Sequence, residues 1–378
     1  MRPFRILAVP LVATLLFGCS RQLPLSPGKD DTSAIASIDL SELQKIDART
    51  RITHLPLAGS GAKVVEVPAG SSNALAAALL AAGTNGTVVL KSGLHTEAGT
   101  VEISRTVTLA GETGAVLESD TKPSLTSDDP VDPALWVHGA SGVVIRDIEI
   151  RPAGAIGGTG ILLHDAPNAS VFGNNIHDVE FGLLAEKADQ AKVWSNRIAC
   201  STGWLSGAIP EALGVTIING TNALIANNRV TGALFGIWPC DAGGKVLANK
   251  ASGCLEGIIL CKVPAWPFEL PDGSYAGSAM STTHCLAQGN ETFGNFADGI
   301  IAIDGAHDSR IVDNNSHDNG AYDVEMSGDS FRFGFLTPSC FNCAFTAGSY
   351  PSVKVKNCGN NNVVNGGILV DNAVDPCN

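Results

Sequence analysis

Ser170-Val171-Phe172-Gly173-Asn174, then Gly182-Leu183-Leu184, then Lys192-Val193-Trp194-Ser195-Asn196: these segments decide the fold, because the same two signals return about every 22 residues from Gly160 to Val324. One signal is an asparagine after a short apolar stretch, at Asn174, Asn196, Asn228, Asn249, Asn290 and Asn314. The other is a glycine followed by apolar residues, at Gly160, Gly182, Gly214, Gly236, Gly257 and Gly299. From asparagine to the next glycine the separation is 8, 18, 8, 8 and 9; from glycine to the next asparagine it is 14, 14, 14, 13, 33 and 15. Only the 18 and the 33 break the register, so they mark loops inserted into a regular coil.

A period near 22 built from short β-rich pieces and turn residues describes a solenoid, in which each repeat buries itself against its neighbours. The spaced leucines and helical half of a leucine-rich repeat are missing, which leaves a parallel β-helix. Parallel strands stacked about 4.8 Å apart place equivalent residues above one another, so a column of asparagines can pair its amides along the stack. The asparagine column therefore reads as scaffold. These repeats resemble the right-handed parallel β-helix superfamily, the pectin-lyase-like architecture shared by pectate lyases, polygalacturonases and mannuronan epimerases. The resemblance covers most of residues 61–378 and implies an all-β, right-handed solenoid. It leaves activity open, because the architecture serves several enzyme classes and proteins without chemistry.

Ahead of the register, Ser71 to Ala82 reads as a short helix closed by Gly83, placed to cap the exposed first coil. Further upstream, Arg2 and Arg5 precede an apolar run from Ile6 to Phe17 and then Gly18-Cys19. That run is too short for a membrane span, which needs about 20 residues, and suits an export signal. Leu16-Phe17-Gly18-Cys19 looks like a bacterial lipoprotein box, although Phe17 is bulky for its position. The expected organisation is a signal peptide over 1–18, a Pro- and Ser-rich tether over 19–60, and one β-helix domain over 61–378. Lipidation of Cys19 would fix the protein to the cell envelope, and Ser20 lacks the aspartate of an inner-membrane retention signal, favouring the outer membrane or surface. The membrane is then a partner only through the lipid, and the chain is expected to be monomeric.

Removing Arg2 and Arg5 takes the formal charge from −13 to −15, which disfavours nucleic acid and anionic lipid as partners. A neutral glycan, or an acidic one bridged by Ca²⁺, fits better than electrostatic capture of a polyuronate; no other cofactor is suggested. Ten cysteines in an exported chain suggest disulfides. Cys240 and Cys261 each follow a column glycine by four residues and would lie one coil apart, while Cys358 and Cys377 could clamp the end of the solenoid.

The two insertions point to a site. One carries Trp204 and Glu211, the other Trp266, Phe268, Glu269, Asp272 and Tyr275. Flanking one sheet, they would wall a groove whose floor is the outward column Leu162, Leu184, Thr216, Trp238, Ile259 and Ile301, with Trp238 free to stack on a sugar ring or packed beneath the loops. Five residues after each glycine stand Asp165, Lys187, Asn219, Asp241, Lys262 and Asp304, a column that reads first as a solvated edge. Its functional reading makes Asp241 and Asp304 acid, base or cation ligands. His177-Asp178 and His317-Asp318 recur in register as a turn motif, or, with His317, as an acid–base group. No polygalacturonase or pectate lyase motif is present. The stretch nearest to the Asp-Pro-His-Glu element of mannuronan epimerases is Asp304-Gly305-Ala306-His307-Asp308, which departs from it in spacing and composition. The leading expectation is thus an envelope protein that binds polysaccharide, whether or not it acts on it as lyase, epimerase or hydrolase. The alternative is a non-catalytic surface or periplasmic β-helix acting as an interaction or accessory protein; copper delivery is poorly served by three methionines.

Overall fold

Asn174, Asn196, Asn228, Asn249, Asn290 and Asn314 form one continuous ladder inside the solenoid. The computed structural model describes residues 63–126, 129–261, 268–277, 282–332, 335–370 and 377. The expected signal peptide and tether, with Cys19, and Trp266 of the second insertion lie outside those residues. Each Nδ2 donates to the Oδ1 of the next asparagine at 2.9–3.0 Å, and that Oδ1 also takes the backbone N–H of the asparagine before it. Every rung is buried. The second Nδ2 hydrogen reaches a strand carbonyl of the preceding coil, as from Asn228 to Val193 at 2.9 Å. A buried amide with all its groups paired is stabilising, and with any group unpaired it costs about 1–3 kcal/mol.

The ladder turns the chain out of a sheet of 12 parallel strands running in sequence order from Val64–Val67 to Val363–Asn365. A further 19 strands form a second hydrogen-bonded network of two parallel columns, joined at the long strand Asn175–Glu186, and two antiparallel hairpins stand apart from both sheets. Its first half pairs with Arg197–Cys200 and its second half with Leu213–Thr221. Inward residues Ile161, Leu183, Val215, Ile237, Ile258 and Ile300 stack in exact register order and are fully buried. The glycine column has a steric cause: a Cβ at Gly160, Gly182, Gly214, Gly236 or Gly257 would lie 2.2–2.8 Å from the carbonyl oxygen of the glycine one coil on.

The expected cap is present as helix Leu75–Ala82, which ends at Gly83 and buries Leu75, Ala78, Leu79 and Ala82 against the first coil. Glu97 holds its start by accepting the N–H groups of Ala74 and Leu75 at 3.0 and 2.8 Å. At the other end Cys358 and Cys377 are bonded. Cys240 and Cys261 are not: both are buried free thiols. The spacing did put them one coil apart, and the Cys240 thiol donates to the Cys261 carbonyl oxygen without a bond between the sulfurs.

Candidate functional site

The outward strand face is where the sequence placed an open groove, and here the structure differs. Leu162, Leu184, Thr216, Trp238, Ile259 and Ile301 do leave the inner core, yet all are buried, Trp238 to 1 % exposure. All but Thr216 form a second apolar cluster with Phe181, Leu213 and Phe235, covered by Phe268, Leu270 and Ala276 of the second insertion. That insertion folds as a hairpin, Phe268–Glu269 against Tyr275–Ala276, and crosses the face until the Glu269 carbonyl meets the Val131 N–H at 2.8 Å. Phe268 sets its edge on Phe181 and Trp238 its edge on Phe235, at 5.5 and 5.0 Å between centroids. Apolar residues on a strand face are driven under whatever covers them, at about 25 cal/mol per Å². The hairpin is a lid, and Trp238 is part of what it seals.

The first insertion goes elsewhere. Trp204 sits on the short helix Gly203–Ser206, packs against the inner core, and donates its indole N–H to the Gly232 carbonyl at 2.8 Å. Tyr275, on the lid, is 57 % exposed, its hydroxyl 3.4 Å from Glu269. The structure therefore does not bring Trp204, Trp238 and Tyr275 to one surface.

Asp241 is fully buried and accepts the Ala223 N–H at 3.1 Å; burial pushes its carboxyl up to about 7. Asp165, Lys187, Asn219 and Asp304 of the same column have φ between 49 and 56°, the left-handed region where Asx residues are tolerated, so this column is a row of turns. His317 stacks on Phe293 and sits 2.8 Å from its neighbour Asp318, as His177 does at 2.7 Å from Asp178. The polar contacts of His317 go to Asp318 and Glu291, and that of Asp241 to Ala223, so the two do not meet.

Chemistry gathers instead at two places that composition did not single out. The first is an open pocket of about 750 Å³, lined by Gly305, His307, Pro338, Ser339, Phe341, Asn342, Asn360 and Asn361. It follows a ladder of turn residues, Thr283, His307, Phe341 and Asn360, each bridged to the next. The Phe341 ring stacks on His307 at 4.7 Å and 9° and stays 38 % exposed. His307 is held by Asp308 at 2.8 Å, and the amides of Asn360 and Asn361 reach Ser339 and Asn342 at 2.8 and 3.3 Å. The second is a row at the ends of three successive strands, His138, His164 and Glu186, facing Asp272 at the tip of the lid.

A profile of the right-handed β-helix region matches residues 101–251. Similar solved structures include the Dettilon tailspike protein, 14 % identical over 81 % of this chain and 68 % of that one, with a TM-score of 0.44. Others are an alginate lyase from Paenibacillus sp. str. FPU-7, 12 % identical over 82 % and 99 % with a TM-score of 0.41, and the A-module of a mannuronan C-5 epimerase from Azotobacter vinelandii, 15 % identical over 79 % and 92 % with a TM-score of 0.43. No curated protein matches the sequence. The matched profile and the three parallel strand columns together make this chain a right-handed parallel β-helix.

Proposed function

We propose that this protein is a lipid-anchored component of the cell envelope that binds a neutral polysaccharide in the pocket around Phe341. The observation that carries the reading is the partly exposed Phe341 ring, stacked on His307 and bordered by Asn342, Asn360 and Asn361. An aromatic face takes the apolar side of a sugar ring, and amides both donate to and accept from its hydroxyls. No lysine or arginine lines the pocket to pair with a uronate carboxylate, so an uncharged glycan suits this lining of amides, a hydroxyl and an aromatic ring. The Trp238 face, sealed by its lid, is not needed.

The test is a glycan array probed with the wild-type chain and with Phe341→Ala. Wild-type binding to a defined glycan, lost in the variant, supports the pocket. If neither protein binds a glycan, the proposal fails. If an unsaturated product appears from a bound uronate polymer, the protein is a lyase and not a binder of neutral chains. Anchoring is tested separately: a labelled fatty acid should enter the wild-type chain and be absent from Cys19→Ala.

A further inference from the structure

The row formed by His138, His164 and Glu186 is the outward column two residues beyond the one that carries Trp238. Each of the three is the last residue of its strand. On the lid opposite them, Asp272 is oriented by Ser274, whose N–H and hydroxyl donate to its Oδ1 at 2.9 and 2.6 Å. That leaves Oδ2 facing both imidazoles, 3.7 Å from His138 Nε2 and 3.8 Å from His164 Nδ1.

None of these separations is a hydrogen bond, for which 2.7–3.2 Å would be expected. His164 is nonetheless 4 % exposed, and its Nδ1 and the Oε2 of the equally buried Glu186 have no hydrogen-bond partner. Left to themselves the groups have two poor arrangements. Neutral rings can point lone pairs at a carboxylate, or charged rings can stack cation on cation at 5.1 Å between centroids. Buried polar atoms left in this state are costly, and they call for a partner.

The geometry points to a site for a divalent first-row transition ion such as Zn²⁺, held by His138 Nε2, His164 Nδ1 and Asp272 Oδ2. One ligand atom from each of the three residues lies within 4.8 Å of the other two. Metal–ligand distances of about 2.1 Å at tetrahedral angles separate neighbouring ligand atoms by about 3.4 Å. The Asp272 contacts are already close to that value, and rotation about the broad ring torsions of the two histidines supplies the rest. Beyond the ligands the pattern repeats on both rings. His138 turns its Nδ1 toward Glu102 at 3.8 Å, and His164 turns its Nε2 toward Glu186 and Asp165 at 3.4 and 3.5 Å. A carboxylate on the far nitrogen of a ligating histidine fixes the tautomer that presents a lone pair to the metal. Lys187, 3.2 Å from Glu186 Oε1, is the single cation among these groups, so the site as a whole favours a positive guest. Two imidazoles and one carboxylate select a borderline-soft ion over Ca²⁺, which prefers oxygen ligands alone.

The inference is independent of the glycan pocket and needs no activity assay. The full chain, stripped with a chelator and titrated with Zn²⁺ alone by calorimetry, should bind one equivalent, and Co²⁺ in its place should give a visible ligand-field spectrum. His138→Ala and Asp272→Asn remove partly exposed side chains, and their circular dichroism melts should show that both fold. Each should weaken Zn²⁺ binding at least ~10-fold, and Glu186→Gln should weaken it by a smaller factor. Absence of saturable binding to the wild type overturns the site. So does wild-type affinity in either ligand variant, or displacement of Zn²⁺ by an equal concentration of Ca²⁺.

Discussion

The asparagine ladder and the His138-His164-Glu186 row are both columns of polar side chains, the ladder wholly buried inside the coil and the row outside it, where His164 and Glu186 are buried and His138 is partly exposed, yet they are opposite in kind. Along the ladder the residue is the same in every coil and each amide group is satisfied by the coil above or below. Along the outer row the residue type is not kept: two histidines, His138 and His164, give way to Glu186, then Ile218, then Cys240, and buried atoms are left without partners. Repetition with full pairing is what a solenoid needs for its own stability. Change without pairing adds nothing to stability, so its presence has to be explained by something that binds.

The sharpest way to break this contrast is to cut the ladder at its middle. Asn228→Ala leaves the Val193 carbonyl and donors of Asn196 without partners, and chemical denaturation should show a loss of about 3–5 kcal/mol. Trp238→Ala should come next. Opening a cavity under the lid should remove about 3 kcal/mol while glycan binding stays as in the wild type, because the ring is sealed and not presented. A smaller effect is expected from pH. Burial pushes the carboxyls of Asp241 and Glu211 up to about 7, and burial, with the nearby charge of Glu211 adding to it, pushes Glu180 to about 8. These folded-state values lie above the unfolded ones, so the folded chain holds protons that the unfolded chain releases. The stability they contribute is full at low pH and is lost as pH rises through about 7 to 8. The urea midpoint should therefore fall between about pH 5 and about pH 8, and Asp241→Asn, which keeps the bond from Ala223, should flatten that fall. Smallest of all, His138→Ala in metal-free protein should change stability by no more than about 0.5 kcal/mol. A loss comparable to that of Asn228→Ala would mean that the outer row is scaffold after all.

Fold was legible because the signals that carry it repeat. The asparagines and glycines announce their own stacking, and the inward apolar column followed from the same count, while the cap was legible from its own alanine- and leucine-rich run closed by Gly83 and the Cys358–Cys377 clamp from two cysteines at the end of the solenoid. The sites were not legible for the converse reason. Alternation along a strand correctly turned Trp238 outward but could not say that nine residues from Phe268 to Ala276 would lie across it, since the path of an irregular insertion is set by tertiary packing. The offset of four residues from each glycine was used for Cys240 and Cys261 alone. Carried back along the chain it reaches Glu186 and His164, and one coil earlier His138, so that part of the metal site was within reach of the sequence. Asp272 was not, because only the fold of the lid brings it there. The Phe341 pocket joins residues from three turns whose spacing is irregular, and no period marks them.

The bond between Glu269 and Val131 has a consequence for how the molecule assembles. In a simple solenoid each coil answers only to its neighbours, and order can spread from any point. Here the lid leaves the coil after Leu260 and fastens to one that was formed far earlier in the chain, so it can close only when every coil between them is stacked. Closure is a long-range event that should come late in folding. It also couples the coils it spans: none of them can open by itself without releasing the clasp, and an ion held between His138, His164 and Asp272 would lock that clasp from the outside.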